Sequence, residues 1–352
     1  MVTAVVICPG RGTYNAAELG TLARHFPDAG LLARFDALRA EAGQEALSAL
    51  DAAPRFSAAR HTRGDNAAGL IYAASFGDFL SIDRAGIEVV AVTGNSMGWY
   101  SALACAGALG AGDGFRLANT MGTLMHEALI GGQLVYPHMG ADWRPDPARK
   151  AALLAQVAEI DARPGHRLAM SIDLGGMLVL AGDAAGLGAF EAEAPPVEGR
   201  FPLRLPNHAA FHTELQAPVA GRGRAALAGV MPDQPRLPLI DGRGQVWWPG
   251  ACDTAALWDY TLGHQVTAPY DFTAAIRIAA REFAPDLFIV TGPGTTLGGA
   301  VAQALILCDW RGMSDRAAFT DRQAQAPLLV AMGRPEQRGW ATGIHTDRET
   351  TR

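Results

Sequence analysis

Three short apolar runs constrain the fold of this chain most strongly, because each of them stops at a glycine-rich turn. Residues 3–8 (TAVVIC) lead into Pro-Gly-Arg-Gly, residues 88–93 (EVVAVT) break at a glycine, and residues 287–291 (LFIVT) stop at Gly-Pro-Gly. Helix-compatible segments follow the second and third runs, at 101–109 and 297–307. Buried strands that alternate with helices predict an α/β fold on a mainly parallel sheet covered on both faces.

The middle of the chain has a different order of predicted strands and helices. Its apolar patterns predict strands at 133–137, 168–172, 177–181 and 201–205, and helices at 148–160 and 185–192. This βαββαβ order is the ferredoxin-like pattern. We therefore predict a small ferredoxin-like domain at 131–205, inserted into a large domain made of 1–130 and 206–331. Residues 332–352 are polar with little periodicity, which predicts a loosely held C-terminal tail.

Composition excludes several classes of protein. A chain of 352 residues that is 49% hydrophobic can bury a sizeable core. Its net charge of -6, with scattered Lys and Arg, argues against nucleic-acid binding. No apolar run is long enough for a membrane span, and the N-terminus does not resemble a signal peptide. We expect a cytoplasmic monomer.

The four cysteines are Cys8, Cys105, Cys252 and Cys308, and they lie far apart in the sequence. No CxxC pair and no cluster of Cys and His is present. The sequence therefore predicts neither a disulfide framework nor a structural metal site.

The pentapeptide at residues 94–98 (GNSMG) fits the G-x-S-x-G pattern of a nucleophilic serine. It follows the EVVAVT strand directly, where a strained turn would lift the hydroxyl of Ser96 above the sheet at a helix N-terminus. In the alternative interpretation, Ser96 only caps the helix after a tight turn.

A serine hydroxyl needs a neighbouring base, and nine histidines are candidates. His208 and His212, which bracket Ala-Ala-Phe just after the inserted segment, are the more suggestive pair. Local sequence does not choose between them, and either is equally compatible with a hydrogen-bonded core histidine.

Five segments resemble the malonyl-CoA:acyl-carrier-protein transacylases and the acyltransferase domains of polyketide synthases. PGRGTY is similar to their PGQGSQ turn, and GNSMGWYSALACAGAL to their GHSLGEYSALVCAG-type elbow. AAFHTELQAPVA resembles FHSxLMxPAA, HQVTAPYDF resembles QLxxPVxW, and TGPGTTLGG resembles EVGPGxxLxGL. The segments occur in the family's order from residue 9 to about residue 300.

The resemblance implies an α/β-hydrolase-like large domain with a ferredoxin-like insertion and a cleft between them. It implies that Ser96 is the nucleophile, that His212 rather than His208 is the base, and that the carbonyl of Gln265 orients this base. The backbone N–H groups of Arg11 and Met97 would form the oxyanion hole.

The resemblance also implies a reaction. An acyl-CoA would acylate the serine, and a phosphopantetheine thiol on an acyl carrier protein would then remove the acyl group in a ping-pong cycle. No metal or redox cofactor is needed. The alternatives are an acyl-thioester hydrolase and a non-catalytic acyl-binding relative.

The chain departs from the family in the residues expected to line the acyl site. Residues 116–122 read RLANTMG where malonyl-specific members read RLVEMRG, so Met121 stands in place of the arginine that binds the malonyl carboxylate. Asn95 replaces a histidine, and Trp99 replaces a glutamate. Together with Phe211, these are the predicted substrate-binding residues.

The loss of that arginine predicts that malonyl is not the specific substrate and that neutral acyl groups are preferred. Met121 would instead provide an adaptable apolar wall. Arg11 or Arg63 offers a rescue, if one of them supplies the missing cation from another direction.

Overall fold

A computed structural model describes residues 1–344 of the chain. Within that part, the strands are β1 (Val2–Cys8), β2 (Ile87–Gly94), β3 (Gly132–Pro137), β4 (Leu168–Leu174), β5 (Met177–Gly182), β6 (Leu203–Arg204), β7 (Leu239–Ile240), β8 (Val246–Trp247), β9 (Tyr270–Asp271), β10 (Leu287–Val290) and β11 (Leu329–Ala331).

The helices are α1 (Thr21–His25), α2 (Ala29–Glu41), α3 (Leu47–Asp51), α4 (Ala58–His61), α5 (Gly64–Leu80), α6 (Gly98–Cys105), α7 (Ala111–Ala128), α8 (Pro147–Asp161), α9 (Ala184–Glu193), α10 (Ala217–Ala226), α11 (Thr254–Asp259), α12 (Gln265–Thr267), α13 (Phe272–Phe283), α14 (Leu297–Leu307), α15 (Arg316–Gln325) and α16 (Pro335–Thr342). A π-helical turn, Tyr260–His264, joins α11 to α12.

The first sheet has the strand order β11-β10-β1-β2-β7-β8, and all neighbours are parallel except the pair β7 and β8. The strand β1 at its centre is buried from Ala4 to Cys8. Helix α6 packs on β1 and β2, and helix α5, which is buried along almost its whole length, packs against α6 and α7. The predicted α/β class and the predicted strands around residues 3–8, 88–93 and 287–291 are confirmed.

The second sheet has the order β6-β3-β5-β4-β9. Its first four strands and the helices α8 and α9 follow one another as βαββαβ, in agreement with the ferredoxin-like pattern. Leu153, Ile160 and Phe190 of these helices form a second core against one face of the sheet. The fifth strand, β9, comes from outside 131–205 and pairs in parallel with β4. The exact domain boundaries stay a prediction.

The predicted loose tail is wrong for residues 332–344. Strand β11 extends the first sheet, Met332 is buried, and α16 follows. Ala341 of α16 is buried, while Arg338 forms an ion pair of 2.6 Å with the buried carboxylate of Asp78. The polar composition of this segment predicted exposure, but Arg338 is paired with a carboxylate inside the protein. The rest of the predicted tail, 345–352, lies outside the described residues.

Between residues 1 and 344, no helix combines the length and the apolar character that crossing a membrane requires. In the same part of the chain, the His, Cys, Asp and Glu side chains form no group of three or more that could hold a metal ion. All four cysteines are buried free thiols.

Candidate active site

Ser96 lies on a sharp turn between β2 and α6. Its φ is +55°, in the left-handed region that costs an L-residue free energy unless the surroundings impose it. The flanking glycines impose it here: a Cβ on Gly94 would lie 2.2 Å from the carbonyl carbon of Gly98, and a Cβ on Gly98 would lie 2.1 Å from the carbonyl oxygen of Cys8. The tight turn thus requires glycine at position 94, and the close approach of β1 requires it at position 98. The turn places Ser96 just before α6.

His212 stands opposite this serine. Its Nε2 is 2.8 Å from the Oγ of Ser96, and its Nδ1 is 2.6 Å from the carbonyl oxygen of Gln265. A carbonyl oxygen only accepts, so Nδ1 carries the proton and Nε2 is free to accept from the serine hydroxyl. His212 also has a positive φ, of 61°, which the bond from its N–H to the carbonyl oxygen of Val266 helps to hold.

The imidazole of His212 is completely buried. Burial lowers its pKa to about 4, against a smaller opposing effect of the Gln265 carbonyl, and nearby His264 lowers the pKa further. The rings of Phe211 and Tyr270 pack on it with centroid distances of 5.9 and 5.3 Å. The histidine is therefore neutral at physiological pH, which is the form that can take a proton.

Gln265 connects the histidine to the serine. Its backbone carbonyl holds His212, while its side-chain Nε2 donates to the carbonyl oxygen of Ser96 at 3.0 Å. The hydroxyl of Tyr100 donates to its Oε1 at 3.0 Å. Gln265 directly follows the π-helical turn, a feature often found at functional sites. Its two hydrogen bonds fix the carbonyl that orients the base.

The N-terminal glycine turn packs against the elbow. A Cβ on Gly10 would lie 2.5 Å from the carbonyl oxygen of Asn95 and 3.4 Å from the Cβ of Ser96. Among the described residues, the backbone N–H groups of Arg11 and Met97 donate to no protein acceptor. Both residues line the cavity beside Ser96. Two free amide donors thus border the place where a bound carbonyl would meet the serine.

A cavity of about 400 Å³ extends from Ser96 to the second sheet. The sheet face opposite α8 and α9 forms one wall, through Val135, Ile172, Leu174, Met177 and Val179. Apolar side chains provide most of the lining, so the cavity suits a ligand with a substantial apolar part.

Three of the four predicted substrate-binding residues line this cavity: Asn95, Met121 and Phe211. The buried Oδ1 of Asn95 has no hydrogen-bond partner within residues 1–344. The side chain of Met121 is buried, and its Sδ points toward Gly223 on α10. The prediction for Trp99 is wrong, because its ring turns into the core, where its Nε1 donates to Thr261 at 3.0 Å.

The two arginines considered as substitutes for the missing cation lie in different surroundings. Arg63 is half-exposed, pairs with Asp65 at 3.0 Å, and does not line the cavity. Arg11 does line it, and its Nη2 donates to the carbonyl oxygen of Thr62 at 2.9 Å. Its Nη1 donates to the Sδ of Met125 at 3.2 Å. Of these two arginines, the fold therefore places Arg11 and not Arg63 at the wall of the cavity.

Neither His208, which lines the cavity, nor Asp173 forms a hydrogen bond with the serine. The Nδ1 of His208 is 2.9 Å from the Oε1 of Gln133, and burial, with a smaller effect of the Arg11 cation, lowers the pKa of His208 well below its usual range. Asp173 pairs with Lys150 and accepts from the hydroxyl of Thr273 at 2.7 Å. Both residues support the walls of the cleft.

Sequence reasoning missed two tyrosines at the site. Tyr100 lies four residues after Ser96, one turn along α6, and that spacing was the available signal. The hydroxyl of Tyr270 donates to the carbonyl oxygen of Gly94 at 2.5 Å. No local pattern marks Tyr270, because its partner is a backbone atom 176 residues away.

Comparisons with known proteins find relatives among the malonyl transacylases. No family model matches the chain. The malonyl CoA-acyl carrier protein transacylase of Mycobacterium bovis is 30% identical over 239 residues, which cover 66% of this chain and 69% of that protein.

Two solved structures share the fold. The acyl-carrier-protein S-malonyltransferase of Burkholderia pseudomallei has a TM-score of 0.73 at 23% identity, over 98% of this chain and 100% of that one. A malonyl-transacylase in complex with its type II polyketide acyl-carrier protein has a TM-score of 0.69 at 21% identity, over 92% of this chain and 100% of that one.

Proposed function

The chain belongs to the malonyl-CoA:acyl-carrier-protein transacylase family, and from this we propose that it transfers an acyl group from a coenzyme A thioester to the phosphopantetheine thiol of an acyl carrier protein. The observation that carries the proposal is the chain of short contacts from Ser96 through His212 to the carbonyl of Gln265. The neighbouring structure that contains an acyl-carrier protein supports the acceptor.

In the proposed first half-reaction, the Oγ of Ser96 attacks the thioester carbonyl while the Nε2 of His212 takes the hydroxyl proton. The backbone N–H groups of Arg11 and Met97 stabilise the oxyanion. Collapse of the tetrahedral intermediate breaks the carbon–sulfur bond, and the imidazolium returns its proton to the departing thiolate. The products are free coenzyme A and an acyl-serine.

The second half-reaction reverses these steps. The acceptor thiol gives its proton to the Nε2 of His212 and attacks the acyl-serine through the same oxyanion site, and Ser96 recovers its proton on release. A thioester donor already carries an activated acyl group, so the proposed cycle requires no metal or redox cofactor. Because burial disfavours the imidazolium form of His212, return of the proton to the leaving group is favourable.

We further propose that the enzyme is not specific for malonyl. The buried methionine at position 121 offers no cation to a malonyl carboxylate, whereas its flexible thioether side chain fits apolar groups of different shapes. The apolar wall of the second sheet supports the same proposal, since it favours an acyl group with a substantial apolar part.

Intact-mass measurement after incubation with a panel of acyl-CoAs tests the nucleophile and the base. The wild type should gain the mass of the acyl group, and Ser96→Ala should gain none. His212→Ala should acylate about 100- to 10,000-fold more slowly, the range expected for loss of a general base. His208→Ala is the matched comparison and should lose far less. A severe effect of His208→Ala beside an active His212→Ala would contradict the assignment.

Transfer is separated from hydrolysis by isolating the acyl-enzyme. A transferase should keep its acyl group in buffer and release it to a carrier protein that bears phosphopantetheine. Rapid loss in buffer alone, with no acceleration by the carrier protein or by pantetheine, would identify a thioester hydrolase instead.

A further inference from the structure

The guanidinium of Arg11 is a feature of the cavity that the proposed reaction does not use, because only the backbone of Arg11 serves the oxyanion. A guanidinium has five N–H donors. Thr62 provides one oxygen acceptor and Met125 a weakly accepting sulfur, while the buried Nε has no partner among the described residues. Three of its five N–H donors therefore make no hydrogen bond within the described part of the chain.

No carboxylate of residues 1–344 lies within ion-pair distance of Arg11. The other arginine that lines the cavity, Arg200, pairs with Glu198 at 3.1 Å and is mostly exposed. Asp65, the carboxylate that acts on Arg11 from a distance, is already paired with Arg63. Arg11 is therefore the cation at this wall whose charge is not neutralised by the protein.

Burial lowers the pKa of Arg11 to about 10, against a smaller opposing effect of Asp65. Even so, the guanidinium stays positively charged at neutral pH. A charge held among apolar side chains without a counter-ion is unfavourable, and an anionic ligand group removes that cost. The chemical class that fits best is a carboxylate, whose two oxygens match the planar fork of an arginine.

The position of this cation differs from that of residue 121. Arg11 contacts Met125, which lies one helical turn beyond Met121 on α7, or about 6 Å along the helix axis. The cavity of about 400 Å³ is lined by Arg11, Met121 and Met125 alike, so it extends past the position of Met121 to that of the cation.

We propose that Arg11 binds a carboxylate at the far end of the acyl group, and that this acyl group is a dicarboxylic one longer than malonyl. Succinyl and glutaryl are the simplest members of the class. The inference rests on the proposed function, because it requires that Ser96 accepts an acyl group from a thioester. In this inference, the side chain of Arg11 selects the acyl group, while the backbone N–H of the same residue borders the oxyanion site.

The test compares acyl groups of the same shape and different charge. Acylation rates of Ser96 are measured by intact mass with succinyl-CoA and with 4-methylpentanoyl-CoA, in which an isopropyl group replaces the carboxylate; glutaryl-CoA and malonyl-CoA complete the panel. The wild type should prefer succinyl or glutaryl to the neutral group by at least about tenfold, and should load malonyl more slowly than the better of the two.

Arg11→Gln should lower that preference about tenfold or more, whereas Arg11→Lys should keep part of it, because the charge remains and only the fork is lost. Arg200→Gln, which changes the other arginine of the cavity lining, is the matched control and should leave the preference unchanged. Thermal unfolding of each variant shows whether it is folded. The preference of the wild type for succinyl or glutaryl over the neutral group is itself a test that depends on no variant.

A wild type that loads the neutral group as fast as succinyl and glutaryl would overturn the inference, as would a preference for malonyl over both longer groups. A charge preference that survives Arg11→Gln would overturn it too. These results differ from failure of the proposed function, in which none of the acyl-CoAs acylates Ser96.

Discussion

Lowering the pH tests whether the burial of His212 sets the working range of the enzyme. Because burial lowers its pKa to about 4, the histidine should stay neutral, and able to accept the serine proton, until the pH falls toward that value. At pH 5.5 a group with a pKa of 4 is about 97% neutral, whereas an ordinary histidine with a pKa of 6.5 is about 9% neutral. The fraction of the neutral-pH acylation rate that is retained at pH 5.5 is thus expected to be about tenfold higher than for an exposed histidine.

The assay is the second-order rate constant of Ser96 acylation by an acyl-CoA below saturation, which reports the ionisation of the free enzyme. Rapid quenching and intact mass give this constant between pH 5 and pH 8. Near-UV circular dichroism at each pH, and recovery of the rate at pH 7.5, exclude acid unfolding. A rate that halves near pH 6.5 would refute the reasoning. Phe211→Ala, which admits water beside the imidazole, should move the midpoint upward.

Two further substitutions test the packing of the turn at Ser96 and the selectivity of the acyl site. Gly98→Ala should destabilise the protein by about 3 kcal/mol and slow acylation, since its Cβ would lie 2.1 Å from the backbone of Cys8. Thermal unfolding and acylation rates check this. Gly188→Ala is the control, because a Cβ at residue 188 meets no atom within 4 Å, and equal stability of the two variants would contradict the prediction. Met121→Arg should raise the ratio of malonyl to acetyl loading by roughly 10- to 100-fold, the effect of a charge-assisted hydrogen bond; Met121→Leu is the control, and an unchanged ratio would show that residue 121 does not reach the acyl group.

The sequence predicted the elements whose signal is local. The run TAVVIC became β1 and EVVAVT became β2, because a strand buried on both faces must be apolar along its length. The predicted helix at 297–307 matches α14, and the glycines of GNSMG marked the turn. In each case a few adjacent residues contain the physical cause.

Features that depend on distant contacts escaped prediction from the residues alone. The partner of His212 is a backbone carbonyl, which any residue can supply, so only the family resemblance pointed to Gln265. The choice between Arg11 and Arg63 depended on where two loops carry them. The prediction that Trp99 binds substrate was wrong because no local pattern indicates that Thr261 accepts its indole N–H inside the core.

Strand β9 limits how the molecule can admit a bulky partner. It pairs with β4 at the edge of the second sheet, yet its Tyr270 hydroxyl is bonded to Gly94 and its ring rests on His212. A rigid rotation of this sheet away from the serine would disturb the base. An opening motion that keeps the base in place must therefore leave β9 where it is, so any widening of the cleft falls to the strands toward β6, on the far side of this sheet.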